Sequence, residues 1–550
     1  MAPHDRVDRT RPARRLADVA PRHGGTRVSV FSDRLREANC ADSGAGRRWV
    51  FASYDQLTDR VGPLSSESPG NLGLVLVETT WRPRQRPYHK QKLAMEIASQ
   101  RHFALEQARR GVAIRYLTGD ETYEELLAPV LEKVGPLHVM EPAERELRTS
   151  LAPLVSSGSV EVVPNETWLS TRSQFEKSIG AAGTWRMDRF YRRVRQDSGI
   201  LMDGKKPTGG KYSFDAENRK AWRGEPVAPD PPTFEVDEIK REVFELVEAR
   251  FGDHPGRLDA TALPASQDEA ERAWSWAKTS CLQHFGPYED AMSTKSAGLF
   301  HTRISALMNN GRLLPRRVIE DALALDLPLA SQEGFVRQIL GWREFMRHVH
   351  FETDGFRRLP EGIADNVLDA TEPLPDAYWG APSGLACLDH VVDEVWKTGY
   401  GHHITRLMVL SNIATLLGLE PRALSDWFWV AYVDAYDWVV EPNVIGMGTF
   451  ALGDLFVTKP YVSGAAYVNR MSDYCGDCAF SPKKDCPLTP LYWSFLERNE
   501  EALTGNVRMA MPLRSLAKRD PDKRAADREI RARVLAALRE GRPVEPEAMS

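Results

Sequence analysis

The sequence predicts two units in succession: an α/β domain built on a parallel sheet with helices on both faces, followed by a large, nearly all-α domain. Three observations carry this expectation. Between Arg48 and about Val163 short apolar runs alternate with helical stretches such as Lys92 to Gln107, the pattern of strand–helix–strand units whose strands lie parallel. From Val236 onward the apolar period becomes helical, with Ile239, Val243, Leu246 and Val247 on one face. Between the two, Asp203 to Pro232 is rich in Gly, Pro, Lys and Asp, the composition of a long loop. A chain of 550 residues also exceeds what one hydrophobic core ordinarily serves.

The elements follow in order. Residues 1–48 hold eleven arginines and no lysine and lack the apolar stretch of a secretory signal, so 1–47 reads as a flexible basic arm of a protein kept in the cytoplasm. The α/β unit takes 48–185, with strands expected at Trp49-Val-Phe-Ala, Leu72 to Val77, Val112 to Tyr116, Leu137 to Met140 and Val160 to Val163. In such sheets ligands sit beyond the carboxyl ends of the strands, so Asp55 and Glu78 mark a small-molecule pocket. No glycine-rich phosphate fingerprint follows either strand. Residues 186–235 read as an interdomain linker whose Lys205, Lys206 and Lys211 fit a solvated loop, the commoner case for such a run, or a contact to the phosphates of a nucleic acid. The helical unit takes 236–516. A charged tail follows over 517–550, in which Ile530, Val534, Leu535 and Leu538 could form one amphipathic helix, solvated or docked. The net charge of −5 leaves nucleic-acid binding to a local basic groove. No apolar run approaches the ~20 residues of a membrane span.

Six cysteines occur, and Cys475-x2-Cys478-x7-Cys486 brings three together. This spacing suits a metal or cluster site in a reducing compartment better than disulfides. Cys387, in the same helical domain, is the candidate fourth ligand. By spacing alone zinc and a 4Fe-4S cluster are equally served. Cys40 and Cys281 are bystanders.

Around these cysteines the motifs become specific. Gly401-His-His-Ile-Thr-Arg-Leu-Met408, Asp434-Ala-Tyr-Asp-Trp438, Pro442-Asn-Val-Ile-Gly-Met447, Lys459-Pro-Tyr461, Tyr467 to Cys475 and Cys486-Pro-Leu-Thr-Pro-Leu-Tyr-Trp493 follow one another. Upstream stand Leu299-Phe-His-Thr-Arg-Ile-Ser305 and Gly334 to Phe345. In this order, over residues 47–515, the chain resembles the iron-sulfur bacterial cryptochromes and photolyases, the prokaryotic (6-4) photolyase branch.

That resemblance implies an N-terminal antenna domain binding 6,7-dimethyl-8-ribityllumazine through Asp55 and Glu78, and a C-terminal helical domain holding FAD. It also turns the cysteine set toward a 4Fe-4S cluster on Cys387, Cys475, Cys478 and Cys486. FAD is expected against His301, Arg303 and Ser305 on one helix, Arg337, Trp342 and Arg343 on another, Arg406, and Asn412, Asp434 and Asn443. His403 is expected to donate a proton, on one helix face with Arg406 and Leu407. Tyr461 and Tyr467 are expected to line a pocket for a flipped lesion, with Asp290 as a polar contact. Trp427 and Trp379 match relay positions for electron transfer; Phe428 replaces a tyrosine found in relatives, leaving Tyr436 available. Val440 stands where this branch typically carries a glutamate facing flavin N5, with Glu441 beside it. The implied function is light-dependent repair of (6-4) pyrimidine–pyrimidone photoproducts in damaged DNA by a monomer. A blue-light receptor of the cryptochrome kind, with the same cofactors, is the alternative.

Overall fold

The computed structural model describes residues 29–39, 46–180 and 183–546. Most of the expected basic arm, including Cys40, lies outside the described residues. Its end forms α1 (Val30–Ala38), N-capped by Ser29 and laying Phe31 and Leu35 on the α/β domain. Glu242 holds it, accepting from Ser29 Oγ at 2.7 Å and from the Phe31 amide at 3.1 Å.

The five strands fall where the apolar runs place them: β1 (Arg48–Phe51), β2 (Leu72–Thr79), β3 (Ala113–Gly119), β4 (Leu137–Met140) and β5 (Val160–Val163). They pair in parallel in the order β3-β2-β1-β4-β5. Both faces are covered, so central β2 is buried from Leu72 to Glu78 and reads as a continuous apolar run rather than an alternating one. Gly73 is needed here, because a side chain would meet the Trp49 ring at 2.3 Å. α2 (Lys90–Arg109) carries the crossover from β2 to β3. After β3 the chain passes to the other side of β1, so winding reverses between β1 and β4, where open α/β sheets place their ligand crevice.

The stretch expected as a linker is not a solvated spacer. Its α3 (Met187–Ser198) buries Phe190, Tyr191 and Val194 in the core of the helical domain. Arg195 fastens the following loop by donating to the carbonyls of Ile200 at 3.2 Å and Tyr212 at 2.9 Å. Composition signalled a loop, but backbone and guanidinium hydrogen bonds immobilise it. The helical domain continues through α4 (Glu238–Phe251), α5 (Ala386–Thr398), α6 (Pro421–Ala431) and α7 (Leu488–Arg498). The tail forms α8 (Pro521–Arg539), which packs on α7 with Val534, Leu535 and Leu538 buried. Among the described residues no helix is long and apolar enough to cross a membrane.

Candidate active site

The helical domain encloses a cavity of about 910 Å³, within the range of cofactor pockets. Three π-helical segments wall it: Arg337–Arg343, Thr405–Ser411 and Pro442–Gly448. A π-turn inserts one residue into a helix and re-aims its side chains, which is why such turns gather at functional sites. His301 and Arg303, expected on a helix, instead sit in the irregular segment before the helix Ser305–Asn309. Leu299 and Arg303 there adopt positive φ, +42° and +56°, a costly conformation for side-chain-bearing residues that marks constrained sites.

Of the expected flavin contacts, His301, Arg303, Ser305, Arg337, Trp342, Arg343, Arg406, Asp434 and Asn443 all face this cavity. Asp434 ties three segments together. It accepts from Ser305 Oγ at 2.7 Å and from Arg406 at 2.9 and 3.1 Å, while its own carbonyl accepts from Asn309 at 3.0 Å. Asn443 donates to the Val439 carbonyl at 2.7 Å. Arg343 lies 4.1 Å from the Trp168 ring, and burial lowers its pKa to about 10. Asn412 does not reach the cavity. It is fully buried and exchanges two hydrogen bonds with the Ser463 backbone, 3.1 and 2.9 Å, positioning a loop that does.

His403, Tyr461, Tyr467 and Asp290 line the same cavity. His301 and His402 stack at 4.4 Å, with His403 5.3 Å from His301. Burial, then the Arg337 and Arg406 charges, lower the His403 pKa to about 4, so its ring is neutral near pH 7. Burial and the neighbouring Asp215 raise the Asp290 pKa to about 6. Sequence reasoning missed Asp215, Glu289, Arg219, Arg470 and Arg508, which also line the cavity. Arg470 lies within the Tyr467 to Cys475 motif and Glu289 beside Asp290, so neighbouring positions could have signalled these two; Asp215, Arg219 and Arg508 come from segments outside the motifs, and folding brings them in. The lysines Lys205, Lys206 and Lys211 are exposed and do not line it.

Val440 also faces the cavity. Glu441 is turned away: it pairs with His350 at 3.1 Å, with Arg357 at 3.4 Å and with Arg422, and is almost fully buried there. It cannot substitute for a carboxylate at the Val440 position.

Comparison with known proteins agrees with this architecture. Residues 48–263 match the family described as deoxyribodipyrimidine photo-lyase-related protein. A (6-4) photolyase from Agrobacterium fabrum is 34% identical over 508 residues, covering 89% of this chain and 99% of the relative. The chain belongs to the photolyase/cryptochrome family. The bacterial class III photolyase of Agrobacterium tumefaciens shares the fold, with a TM-score of 0.54 at 16% identity over 90% of this chain and 98% of that one. So does a Synechocystis cryptochrome, with a TM-score of 0.52 at 15% identity, over 77% and 86%.

Photolyase family membership implies FAD, and the cavity fits it. It offers arginines for phosphates, a carboxylate clamped at its centre, and buried ring nitrogens, His301 Nε2 and His402 Nδ1, that have no partner within the chain. A row of rings leads outward. Phe428 lines the cavity and contacts Trp427 at 5.1 Å; Trp427 meets Trp396 at 5.8 Å, and Trp396 stacks on Trp379 at 5.5 Å. Trp379 is 42% exposed. Trp396, the bridge, was not anticipated, because nothing in its local sequence marks it. Tyr436 lies outside this row. Its ring stacks on Tyr54 of the α/β domain at 6.1 Å, because it sits on the opposite side of the turn from Asp434.

Cys387 on α5 and Cys475, Cys478 and Cys486 in the loop before α7 are all free thiols near one another; burial, then mutual repulsion, raises the Cys387 pKa. Among the described residues, His301, His402 and His403 form the only group of three or more candidate ligands whose atoms lie within 4.8 Å of one another. Cys281 is buried apart from the four cysteines, beside the His301 carbonyl.

In the α/β domain Asp55 accepts from Ser53 and is buried. Glu78 is held by Arg101 at 2.8 and 2.9 Å and by Tyr116 at 2.7 Å. The two expected lumazine ligands share no partner.

Proposed function

We propose that this photolyase-family protein repairs (6-4) pyrimidine–pyrimidone photoproducts in DNA under light. The observation that carries the reading is His403: it stands on the wall of the flavin-type cavity together with Tyr461 and Tyr467. The (6-4) activity of the Agrobacterium relative supports it. Bound FAD, once reduced and excited, would supply the electron that starts repair.

The chain's own residues do the rest. Asp434, with Ser305 and Arg406, forms a rigid hydrogen-bonded centre against which a planar ring can be held. Tyr461 and Tyr467 offer faces on which an extruded base can stack, and Arg219, Arg470, Arg508 and Lys459 supply positive charge around it. His403 is neutral when the cavity is free of anions and is then no acid; an anionic ligand would raise its pKa, so that the ring takes up a second proton and the resulting imidazolium can deliver it. Val440 offers no hydrogen bond to the cavity, which removes a carboxylate from beside the flavin and alters its redox balance. Cys387, Cys475, Cys478 and Cys486, four free thiols close enough to raise one another's pKa, are read as the ligands of a 4Fe-4S cluster. The protein is read as a cytoplasmic monomer that accepts a flipped lesion.

The test is illumination of the reduced protein with an oligonucleotide carrying one (6-4) lesion. Wild type is expected to restore the bases, and His403→Ala to lower the rate by about 10²–10⁴ with flavin content retained. Undiminished repair by the variant would remove His403 from its role. A flavin-loaded wild type that repairs nothing would point to the receptor function.

A further inference from the structure

We propose that the α/β domain binds no lumazine, because the crevice that would take a second chromophore is filled by the chain's own Arg82. In a sheet of this topology the ligand crevice opens where winding reverses, between the carboxyl ends of β1 and β4. Here the two strands are followed by Tyr54 and Glu144, and the Tyr54 hydroxyl donates to the Glu144 carboxylate. Arg82 lies across them, its guanidinium carbon 3.9 Å from the Tyr54 ring centre. It is 6% exposed and Glu144 is fully buried. Its nitrogens approach Glu144 at 3.4 Å, Glu96 at 3.5 Å and Glu146 at 3.8 Å.

The helical domain seals the remaining side. Tyr436 stacks parallel to Tyr54, and Lys92 donates to the Trp429 carbonyl at 3.1 Å, its ammonium 4.5 Å from the Tyr88 ring. A neutral heteroaromatic ring could enter only by expelling the guanidinium, leaving buried carboxylates without their cation. Of the buried polar atoms without partners here, Arg82 Nε and Glu146 Oε2 face each other across 3.8 Å, a gap that admits no ring, while Glu96 Oε1 and Tyr88 Oη belong to side chains already packed against the Arg82 guanidinium. Glu78, the other expected ligand, is saturated by Arg101 and Tyr116. Phe31 of α1 packs edge-on over Tyr116 at 4.6 Å and closes that side as well. Light capture then falls to the flavin alone. This stands apart from the repair reading, since it concerns only the α/β domain.

The test uses the full-length wild-type protein, produced with excess 6,7-dimethyl-8-ribityllumazine in the medium and then freed of unbound ligand. Acid extraction and chromatography are expected to release flavin and no lumazine, and titration of the purified protein with lumazine to give no saturable change in its fluorescence. Lumazine recovered at about one per chain, or a saturable quench, overturns the proposal. An extract lacking flavin would defeat the flavin reading instead and leave the titration to decide this one.

Discussion

Each half of the molecule sets an arginine against a tyrosine ring where its elements converge, yet one place is solid and the other hollow. Arg82 at the sheet edge is surrounded by Glu144, Glu96 and Glu146. Arg303 in the helical domain stacks on Tyr400 at 4.0 Å. Among the described residues no carboxylate lies within ion-pair reach of it, and it sits on left-handed backbone at a cavity wall. The difference teaches how to tell a structural cation from a ligand's counter-ion. A guanidinium whose charge is balanced by the chain belongs to the fold, whereas one facing a cavity without a carboxylate is placed for an anion brought from outside.

The strongest challenge to this contrast comes from the cysteines proposed to hold a 4Fe-4S cluster in the helical half. Cys387→Ser or Cys475→Ser is expected to abolish stoichiometric iron, measured by metal analysis, and to give largely unfolded protein, since metal binding and folding are coupled. The two arginines come next. Arg82→Ala should cost about 3–5 kcal/mol in denaturant unfolding by stripping buried carboxylates of their partner, with flavin retained in the folded fraction. Arg303→Ala should leave stability nearly unchanged and reduce flavin content. Equal flavin loss in both would erase the distinction.

The pH response sharpens it further. Burial raises the Asp55 pKa to about 7, above its unfolded value, so the folded state holds the proton more firmly. Its contribution is full at low pH and fades as pH rises from about 4 to 7; relative to Asp55→Asn, wild type should lose on the order of 3–4 kcal/mol over that window. His89 runs the other way. Burial lowers its pKa to about 4, so relative to His89→Gln wild type should lose up to ~3 kcal/mol as pH falls from about 6.5 to 4. The smallest effect is kinetic: Trp396→Phe should slow flavin photoreduction severalfold without changing flavin content, read by absorbance under illumination.

Much of this was legible before folding. The five strands stand where the apolar runs lie, because a doubly covered parallel sheet demands continuous apolar residues. The motifs around His301, Arg337, His403, Asp434 and Asn443 converge on one cavity because each was carried within a local segment of fixed geometry. The partners of Glu78 and Asp55 were less legible: Arg101, which pairs with Glu78, lies on the following helix, and the Ser53 hydroxyl that donates to Asp55 is positioned by the turn after β1. Asn412 lies on a wall segment but points to the Ser463 backbone, a direction set by a distant loop.

Periodicity and ordered motifs, by themselves, determined the two-domain class, the family and most of the cavity's lining, since these depend on interactions within a turn or two of chain. Tertiary structure alone decided which charged groups are spent on one another. Pairings such as Arg82 with Glu144, or Glu441 with His350 and Arg422, join residues on different elements. Whether a carboxylate or guanidinium remains free for a ligand depends on Coulomb and hydrogen-bond partners within a few ångströms in space, which no local pattern encodes.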